Sequence, residues 1–556
     1  MVEVAFYQKF KKILFFWKYI TVEPLLVCWL LPGFFLIAAM ENLELEKTCR
    51  VNLGLEDIVC TNMINRTIHN IDCTDITAPE VKVMNMTQDG NTTRAEVVLV
   101  NEDGVVNLDV LKERVCLAET ESQKVVALIK GYRAPIAAIF PLIIVLFAGG
   151  WSDKKRLRKP CLLLPIIGEF LGCLALFIAA IFMLQLPMEF AGILEKLFPA
   201  MCGGFTLMLM GVYSYMADIT PEEDRTFRFG VLAVSISIIP IAAVPWSGYL
   251  FEKLGYVYLF TLCLVIYVIG ILYTIFFIKE VPASRQEEKS DTNGVNLENG
   301  REISTPAKKK NAFLEFFDPT LLKDCIKVLT IKREGNKQLL ICLLIAVYFI
   351  FLGPPLGEAD FIYPFTRKRF NWQANEYVLF LTYSTFIALV GTVIMVSVVS
   401  KFLKCSDALI GVISTAGTVI SKPILAFGAT ATMYYVGTVV DLFLGVRAIA
   451  LKSIISTFVE PNEIGRVYSI LGIMESLVQF IFPAMYSAVY INTLETFVGA
   501  MYLFGEIFII PALLIFIYLY IQHKRNPKTS DQNPQEEKND DQKTNGVALE
   551  EESTYM

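Results

Sequence analysis

The chain of 556 residues holds only two histidines, His69 and His523, far apart and beside polar segments. Metal centres built on imidazole, Ser/His/Asp triads and histidine-based acyl transfer lack their raw material, so an integral-membrane enzyme is a poor reading. The chemistry that remains is proton binding and ion pairing by charged residues set deep in long apolar runs: Glu169, Asp441, Glu475 and Glu506, with Arg447 slightly further toward the inner side. An ionisable group at mid-bilayer costs at least about 2.5–3.5 kcal/mol on insertion scales, so each needs a partner or a watered cavity. On one continuous helix Asp441 and Arg447, six apart, lie about 240° round from each other and cannot pair. Four buried acids against few buried bases leave carboxylates over, and desolvation then keeps at least one protonated at neutral pH. Glu23, Lys130, Arg133, Glu195 and Glu358 fall near the ends of apolar runs, where the default is an interfacial, snorkelling side chain.

The elements that must position these groups follow from composition. Hydrophobic residues make up 54% of the chain and charged residues 19%, with a mean hydropathy of +0.52, against roughly 45–50% apolar in soluble domains. A hydrocarbon core about 30 Å thick needs roughly 20 apolar residues per helix. That ruler gives spans at about 20–40, 127–150, 161–186, 193–217, 229–251 and 256–278, then 338–358, 376–400, 406–427, 431–456, 464–490 and 496–521. These are twelve spans in two sets of six: an all-α polytopic membrane protein. Residues 1–19 and the polar stretch 279–337 flank the first bundle, and the polar tail 523–556 is expected to be disordered. The first run continues to Met40, carries Glu23-Pro24 at its start and lacks a small-residue cleavage site, so it reads as a retained span rather than a signal peptide. A net charge of -6 argues against a nucleic-acid partner. No phosphate-binding Gly-rich loop followed by Lys-Ser/Thr is visible, so no nucleotide or other cofactor is expected, and no metal. The implied partners are the bilayer, a small solute and protons.

Lysine and arginine in short loops set the orientation. The 151–160 loop carries Lys154, Lys155, Arg156, Arg158 and Lys159, whereas the loops 187–190, 427–430 and 491–495 carry none. Both termini and the central loop are thus inside. Arg367-Lys368-Arg369, placed outside, is an exception. The 41–126 loop holds the sequons at Asn65, Asn85 and Asn91 and four cysteines, Cys49, Cys60, Cys73 and Cys116. An outer, oxidising compartment is expected to glycosylate the former and pair the latter in one of three connectivities. Proline and glycine within spans, at Pro32-Gly33, Pro240, Pro245, Gly353-Pro354-Pro355 and Pro423, permit bends.

Three inner turns carry motifs. Gly149-x-x-x-Asp153 precedes the basic run with Arg158; Tyr215-Met216-Ala217-Asp218 precedes Arg225-Thr226-Phe227-Arg228; and Lys452-Ser453-Ile454-Ile455 precedes Glu463-Ile464-Gly465-Arg466, with Glu475 beyond. Together with Val22-Glu23-Pro24, their order and spacing resemble the major facilitator superfamily, and within it the proton-coupled folate transporter family, solute carrier family 46. The resemblance implies two six-helix bundles around a central cavity, a gating loop at Gly149, Asp153, Arg158, Asp218, Arg225 and Arg228, and a functional cation at Lys452. The chain departs from the family in having Arg156-Leu157-Arg158 where Gly-Arg-Lys is usual, Ala233 where folate carriers have a glutamate, and no histidine in any span.

The expected function is secondary active transport of a small organic anion or conjugated polar metabolite with protons. Arg447 and Asp441 are the expected substrate contacts, with Lys452 at the inner mouth and Glu475, Glu169 and Glu506 as proton carriers. The rivals are a muropeptide, sugar or drug carrier of the same fold, and a non-transporting receptor or scaffold. The plasma membrane is the expected location, with endolysosomal membranes the alternative. Enzymatic deglycosylation is expected to lower the apparent mass of the protein, and changing Asn65, Asn85 and Asn91 together to Gln to abolish that shift. A triple variant whose mass still falls on digestion would refute the loop assignment.

Overall fold

The structure, a computed structural model, describes residues 21–65, 71–73, 108–155, 157–220, 222–280, 337–395, 406–457 and 464–525. Asn85, Asn91, most of the central loop and the tail lie outside them, while Asn65 is exposed at the end of a short helix, Asp57–Ile64. Nine of the described helices are long and apolar enough to cross a membrane. The first span is a bent pair, Glu23–Phe35 and Ile37–Lys47. The run Glu222–Phe276 is two spans, because Gly255 takes a φ of 66° that ordinary side chains avoid and breaks the helix there. The tenth span is split into Ala431–Val440 and Val446–Thr457, each too short to cross alone. The result is the twelve-span arrangement, with the remaining spans at Leu108–Lys155, Lys159–Ile181, Met188–Met201 with Gly204–Ile219, Lys337–Ala359, Ala374–Ile394, Asp407–Phe427, Ile464–Thr493 and Ala500–Arg525.

Within the first bundle the first span packs along the fifth and sixth, and the third against the fourth. Within the second, the ninth packs on the twelfth and the seventh on the eleventh; across the bundles, the second span lies on the eleventh and the fifth on the eighth. The bend in the first span has a specific cause. Ala38 N donates to Ser247 Oγ at 2.9 Å, and Ser247 Oγ donates to Phe35 O at 3.0 Å, so a side chain from the fifth span is inserted into the helical ladder.

The second span begins at Leu108, not near 127: its 48 residues run about 70 Å at 1.5 Å per residue, so its first turns stand clear of the bilayer as a stalk. Hydropathy misses this part because the stalk is amphipathic. Its Leu111, Val115 and Ala118 are buried against a small core that includes Val59, Met63 and Ile71. Cys49 pairs with Cys60 and Cys73 with Cys116, at Cα separations of 5.7 and 5.5 Å, and both bridges lie in that core.

Cross-bundle bonds of the described residues gather at the outer ends. Ser487 Oγ donates to Ala127 O at 2.6 Å and Tyr490 OH to Gln123 Oε1 at 3.0 Å. Arg367, fully buried on the helix Ile362–Phe370, pairs with Glu119 at 3.1 Å, donates to Tyr363 OH at 3.0 Å and reaches Met63 O. Lys368 donates to Thr120 at 3.3 Å, while Arg369 donates within the second bundle to Gly428 O at 3.1 Å. The basic triplet that violates the charge rule is thus a fastening of the outer face. Lys124 and Glu495, 2.5 Å apart, add an exposed bridge at the rim. The Lys124 hydrogen bond holds the Glu495 carboxyl below its usual range. Its contribution is therefore present at neutral pH and lost only as pH falls through that depressed value, which rules this bridge out as a sensor of mild acidification.

Gly131 sets how closely the bundles approach, since a β-carbon there would lie 2.7 Å from Ser487 Cβ. Overpacking costs about 1–3 kcal/mol, so Gly131→Val is expected to shift the equilibrium away from the outer-closed form by roughly 5- to 150-fold. A cysteine placed at the buried Ala127 should then react faster with an impermeant maleimide; an unchanged rate would contradict the assignment of this contact to the outer seal.

Candidate functional site

The tenth span positions the central groups, and its break decides how. Between its two helices the chain turns through Asp441 to Gly445, and the ninth span adds bonds to carbonyls that the turn's own amides hold only weakly: Ser414 Oγ donates to Phe443 O at 2.6 Å and Ser421 Oγ to Gly437 O at 2.7 Å, beside Val446 N at 3.1 Å and Asp441 N at 3.3 Å. Non-helical backbone at this depth is tolerated because it is so satisfied. The break also undoes the helical-wheel argument. Thr418 Oγ1 donates to Asp441 Oδ1 at 2.6 Å and accepts from Arg447 Nη1 at 3.0 Å, so one hydroxyl joins the two residues that a straight helix separates. Arg447 is 2% exposed, lies 5.5 Å over the Phe351 ring and donates to Leu444 O at 3.4 Å.

One turn further in, Lys452 Nζ lies 3.2 Å from Glu475 Oε1 of the eleventh span. Their side chains are 35% and 39% exposed, unlike the buried Arg447. Tyr348 of the seventh span donates to the same Glu475 oxygen, and its ring lies 5.4 Å from Lys452 Nζ. Two residues expected to act separately, one at the inner mouth and one on protons, are a single pair.

Toward the outer half of the second bundle lies a cluster that span-end logic passed over. Lys422 of the ninth span and Glu358 at the end of the seventh are 2.5 Å apart and buried. Glu506 of the twelfth span is within electrostatic range of both, and of Asp441 and Arg447. The first bundle holds a counterpart. Lys130 Nζ lies 3.1 Å from Glu41 and 3.2 Å from Glu44, and donates to Asp360 O at 3.1 Å. Arg133 pairs with Glu44 at 2.6 Å. Beside them is a cavity of about 360 Å³ lined by Glu41, Glu44, Arg133, Glu169, Glu195 and Asp360, among others. Lys130, Arg133, Glu195 and Glu358 are therefore not snorkelling side chains. Lys130, Arg133 and Glu358 face inward because Glu41, Glu44 and Lys422 wait for them on neighbouring helices, while Glu195 lines the cavity and pairs with Lys196 of its own helix. No single-span pattern reveals such partners, although Lys422 in an apolar run was a usable signal.

At the inner turns, Arg158 Nε donates to Asp218 Oδ2 at 2.7 Å, while the Arg158 and Lys159 amides donate to Glu280 at 3.0 and 2.9 Å. A carboxylate thus caps the start of the third span, as the helix dipole favours. Arg228 donates to Thr21 at 3.0 Å and lies 3.7 Å from Glu23, tying the fifth span to the first. Gly149, Asp153 and Arg225 sit on helices, their side chains outside the description.

Comparison with known proteins gives a consistent picture. The sequence model described as Major Facilitator Superfamily matches residues 129–483. The chain is 20% identical over 381 residues to the Drosophila melanogaster protein named "Probable peptidoglycan muropeptide transporter SLC46", covering 66% of this chain and 68% of that one. It is 23% identical over 371 residues to the Gallus gallus "Lysosomal proton-coupled steroid conjugate and bile acid symporter SLC46A3", covering 65% and 73%. Among solved structures, the human organic anion transporter MFSD10 (TETRAN) matches with a TM-score of 0.50 at 14% identity over 89% of this chain and 97% of that chain, a likeness of fold alone.

If Thr418 bridges Asp441 and Arg447, Thr418→Val should destabilise the protein by about 1–3 kcal/mol, the cost of leaving buried charged groups short of a hydrogen bond. Thermal unfolding in detergent measures it, with Thr418→Ser expected to restore most of the loss. A Thr418→Val variant as stable as the unaltered protein would contradict the bridge.

Proposed function

Because the chain belongs to the Major Facilitator Superfamily, we propose that it is a secondary active transporter of a small organic anion or conjugated polar metabolite, moved together with protons. The observation that carries this reading is the half-exposed Lys452–Glu475 pair, joined by the Tyr348 hydroxyl where the seventh, tenth and eleventh spans meet. An incoming anion competes with Glu475 for the Lys452 ammonium. Proton binding at Glu475 removes the competing charge while its oxygens keep hydrogen-bonding capacity toward Tyr348, so anion and proton load together and leave together. With Ala233 where folate carriers have a glutamate, Glu475 takes that coupling duty here.

Depth alone ranks Arg447 as the anion contact, but its guanidinium is enclosed by Thr418, Leu444 O and Phe351. Lys452 is the cation a solute can reach, and Arg447 with Asp441 holds the break in the tenth span open beside it. Discontinuous helices of this kind, and the bend at Ser247 in the first span, supply the compliance that rocking of one bundle against the other uses. The Arg158–Asp218 and Arg228–Glu23 contacts serve the inner gate. The relatives' names point to the same chemistry, since steroid conjugates and bile acids are amphipathic anions; the muropeptide carrier makes a peptide-linked sugar acid the second reading. The protein is a multi-pass membrane protein, and we place it in the plasma membrane, with the lysosomal location of the chicken relative as the alternative.

A radiolabelled uptake panel of organic anions at two outside pH values tests this. Uptake is expected to rise as outside pH falls, Glu475→Gln to flatten that rise at unchanged surface expression, and Lys452→Ala to raise the apparent KM roughly tenfold, as for one partly exposed charged hydrogen bond. If Lys452→Ala leaves KM alone while Arg447→Lys raises it, Arg447 is the anion contact. A Glu475→Gln variant with the full pH response would remove Glu475 from coupling.

A further inference from the structure

Deep in the second bundle, apart from the Lys452–Glu475 pair, a second set of charges does not balance. Glu358 comes from the seventh span, Lys422 from the ninth, Asp441 and Arg447 from the tenth and Glu506 from the twelfth, and Tyr486 of the eleventh turns its hydroxyl toward them. Among the described residues three carboxylates thus meet two cations. Lys422 is committed to Glu358, and Arg447 to Asp441 through Thr418. Glu506 is left. It is 8% exposed, and neither of its carboxylate oxygens has a hydrogen-bond partner.

An ionised carboxylate so placed has lost hydration and made no hydrogen bond in return, while the two nearby cations are already engaged by other carboxylates, a cost that proteins avoid by neutralising the group. The neighbouring backbone is closely packed. A β-carbon on Gly505 would lie 2.9 Å from Tyr486 OH and 3.1 Å from Glu358 Oε1, so the twelfth span is already pressed onto these groups. A proton neutralises the group without any further atom being placed.

We propose that Glu506 is a buried proton-binding site of the second bundle, closed off from the anion-accessible pair and set against Glu358, Lys422 and Tyr486. The reaction is simple: one proton adds to the Glu506 carboxylate, bringing the cluster of three acids and two bases to neutrality, with no other bond made or broken. Its position gives it a consequence. Glu358 is two residues from Asp360, whose carbonyl accepts from Lys130 of the first bundle, so α-helical displacement at the end of the seventh span reaches the outer seal directly. Loss of the Glu506 proton leaves a carboxylate that draws Lys422 from Glu358 and loosens that corner.

This inference rests on the proton-coupled reading for its physiological use but not for its test. The purified full-length protein, reconstituted in lipid, is titrated from pH 8 to pH 5 and followed by infrared difference spectroscopy. The carbonyl stretch of a protonated, non-hydrogen-bonded carboxylic acid, with its small downshift in deuterium oxide, is expected in the unaltered protein and in Glu506→Asp, and expected to be missing in the isosteric Glu506→Gln. A band of full amplitude in a folded Glu506→Gln protein overturns the site, as does absence of any such band in the unaltered protein. Uptake measured in parallel separates the two ideas. If proton-driven uptake is lost in Glu475→Gln and the infrared band persists in Glu506→Gln, coupling stands and the Glu506 site falls; if the band behaves as expected while uptake ignores pH, the site stands and the coupled-transport reading falls.

Discussion

A charge carried into a bilayer must meet another charge, a hydrogen-bond partner or water, and that constraint organises this molecule more than any packing rule. The apolar faces of twelve helices would associate in many registers, since lipid tails are as apolar as the side chains that displace them. Buried ion pairs are selective in a way those faces are not. Lys130 with Glu41 and Glu44, Arg133 with Glu44, Arg367 with Glu119 and Lys422 with Glu358 each tie two particular helices at one height.

The pairs fall into two kinds, and the difference explains how a rigid fold can move. Those inside a bundle, such as Lys422–Glu358, are buried on both sides and travel with the bundle as one body. Those between bundles, such as Arg367–Glu119, close the outer face and must be exchanged for water when it opens. Between these kinds lies the Lys452–Glu475 pair, about a third exposed, within reach of solvent and of a solute's charge. The broken tenth span keeps the two kinds apart. Its outer helix carries Tyr434 into the aromatic core with Phe365, Phe380 and Tyr502, while its inner helix carries Lys452, and the turn between them is held by hydroxyls of the ninth span.

Much of this was legible in the sequence. Span positions follow from hydropathy because a helix that crosses lipid has no alternative to being apolar. The four cysteines of the 41–126 segment pointed to two disulfides, though not that Cys49 would choose Cys60. The order of Glu23, Asp218, Arg228 and Lys452 carried the resemblance to the superfamily. What could not be read was anything that depends on a second helix. Lys130 and Glu358 sit where snorkelling is the ordinary outcome, and only Glu41 and Lys422, supplied by other spans, turn them inward. Asp441 and Arg447 looked unpairable because the wheel assumes a helix that Gly445 and the turn before it interrupt. The stalk at Leu108 was missed for a simpler reason, since an amphipathic helix over a small disulfide-linked core has no hydropathy peak.

The most direct test of charge pairing as the lock on the outer face is a distance. Spin labels at the exposed Leu117 of the stalk and Met433 at the outer start of the tenth span report the separation of the two bundles by pulsed electron resonance. Replacing Arg367 with Met together with Glu119 with Gln removes the buried pair without leaving either charge orphaned. The distance distribution is expected to gain a longer component, corresponding to an opened outer face. An unchanged distribution in the folded double variant would show that apolar contact between the second and eleventh spans closes the molecule by itself, and that the ion pairs only accompany the closure.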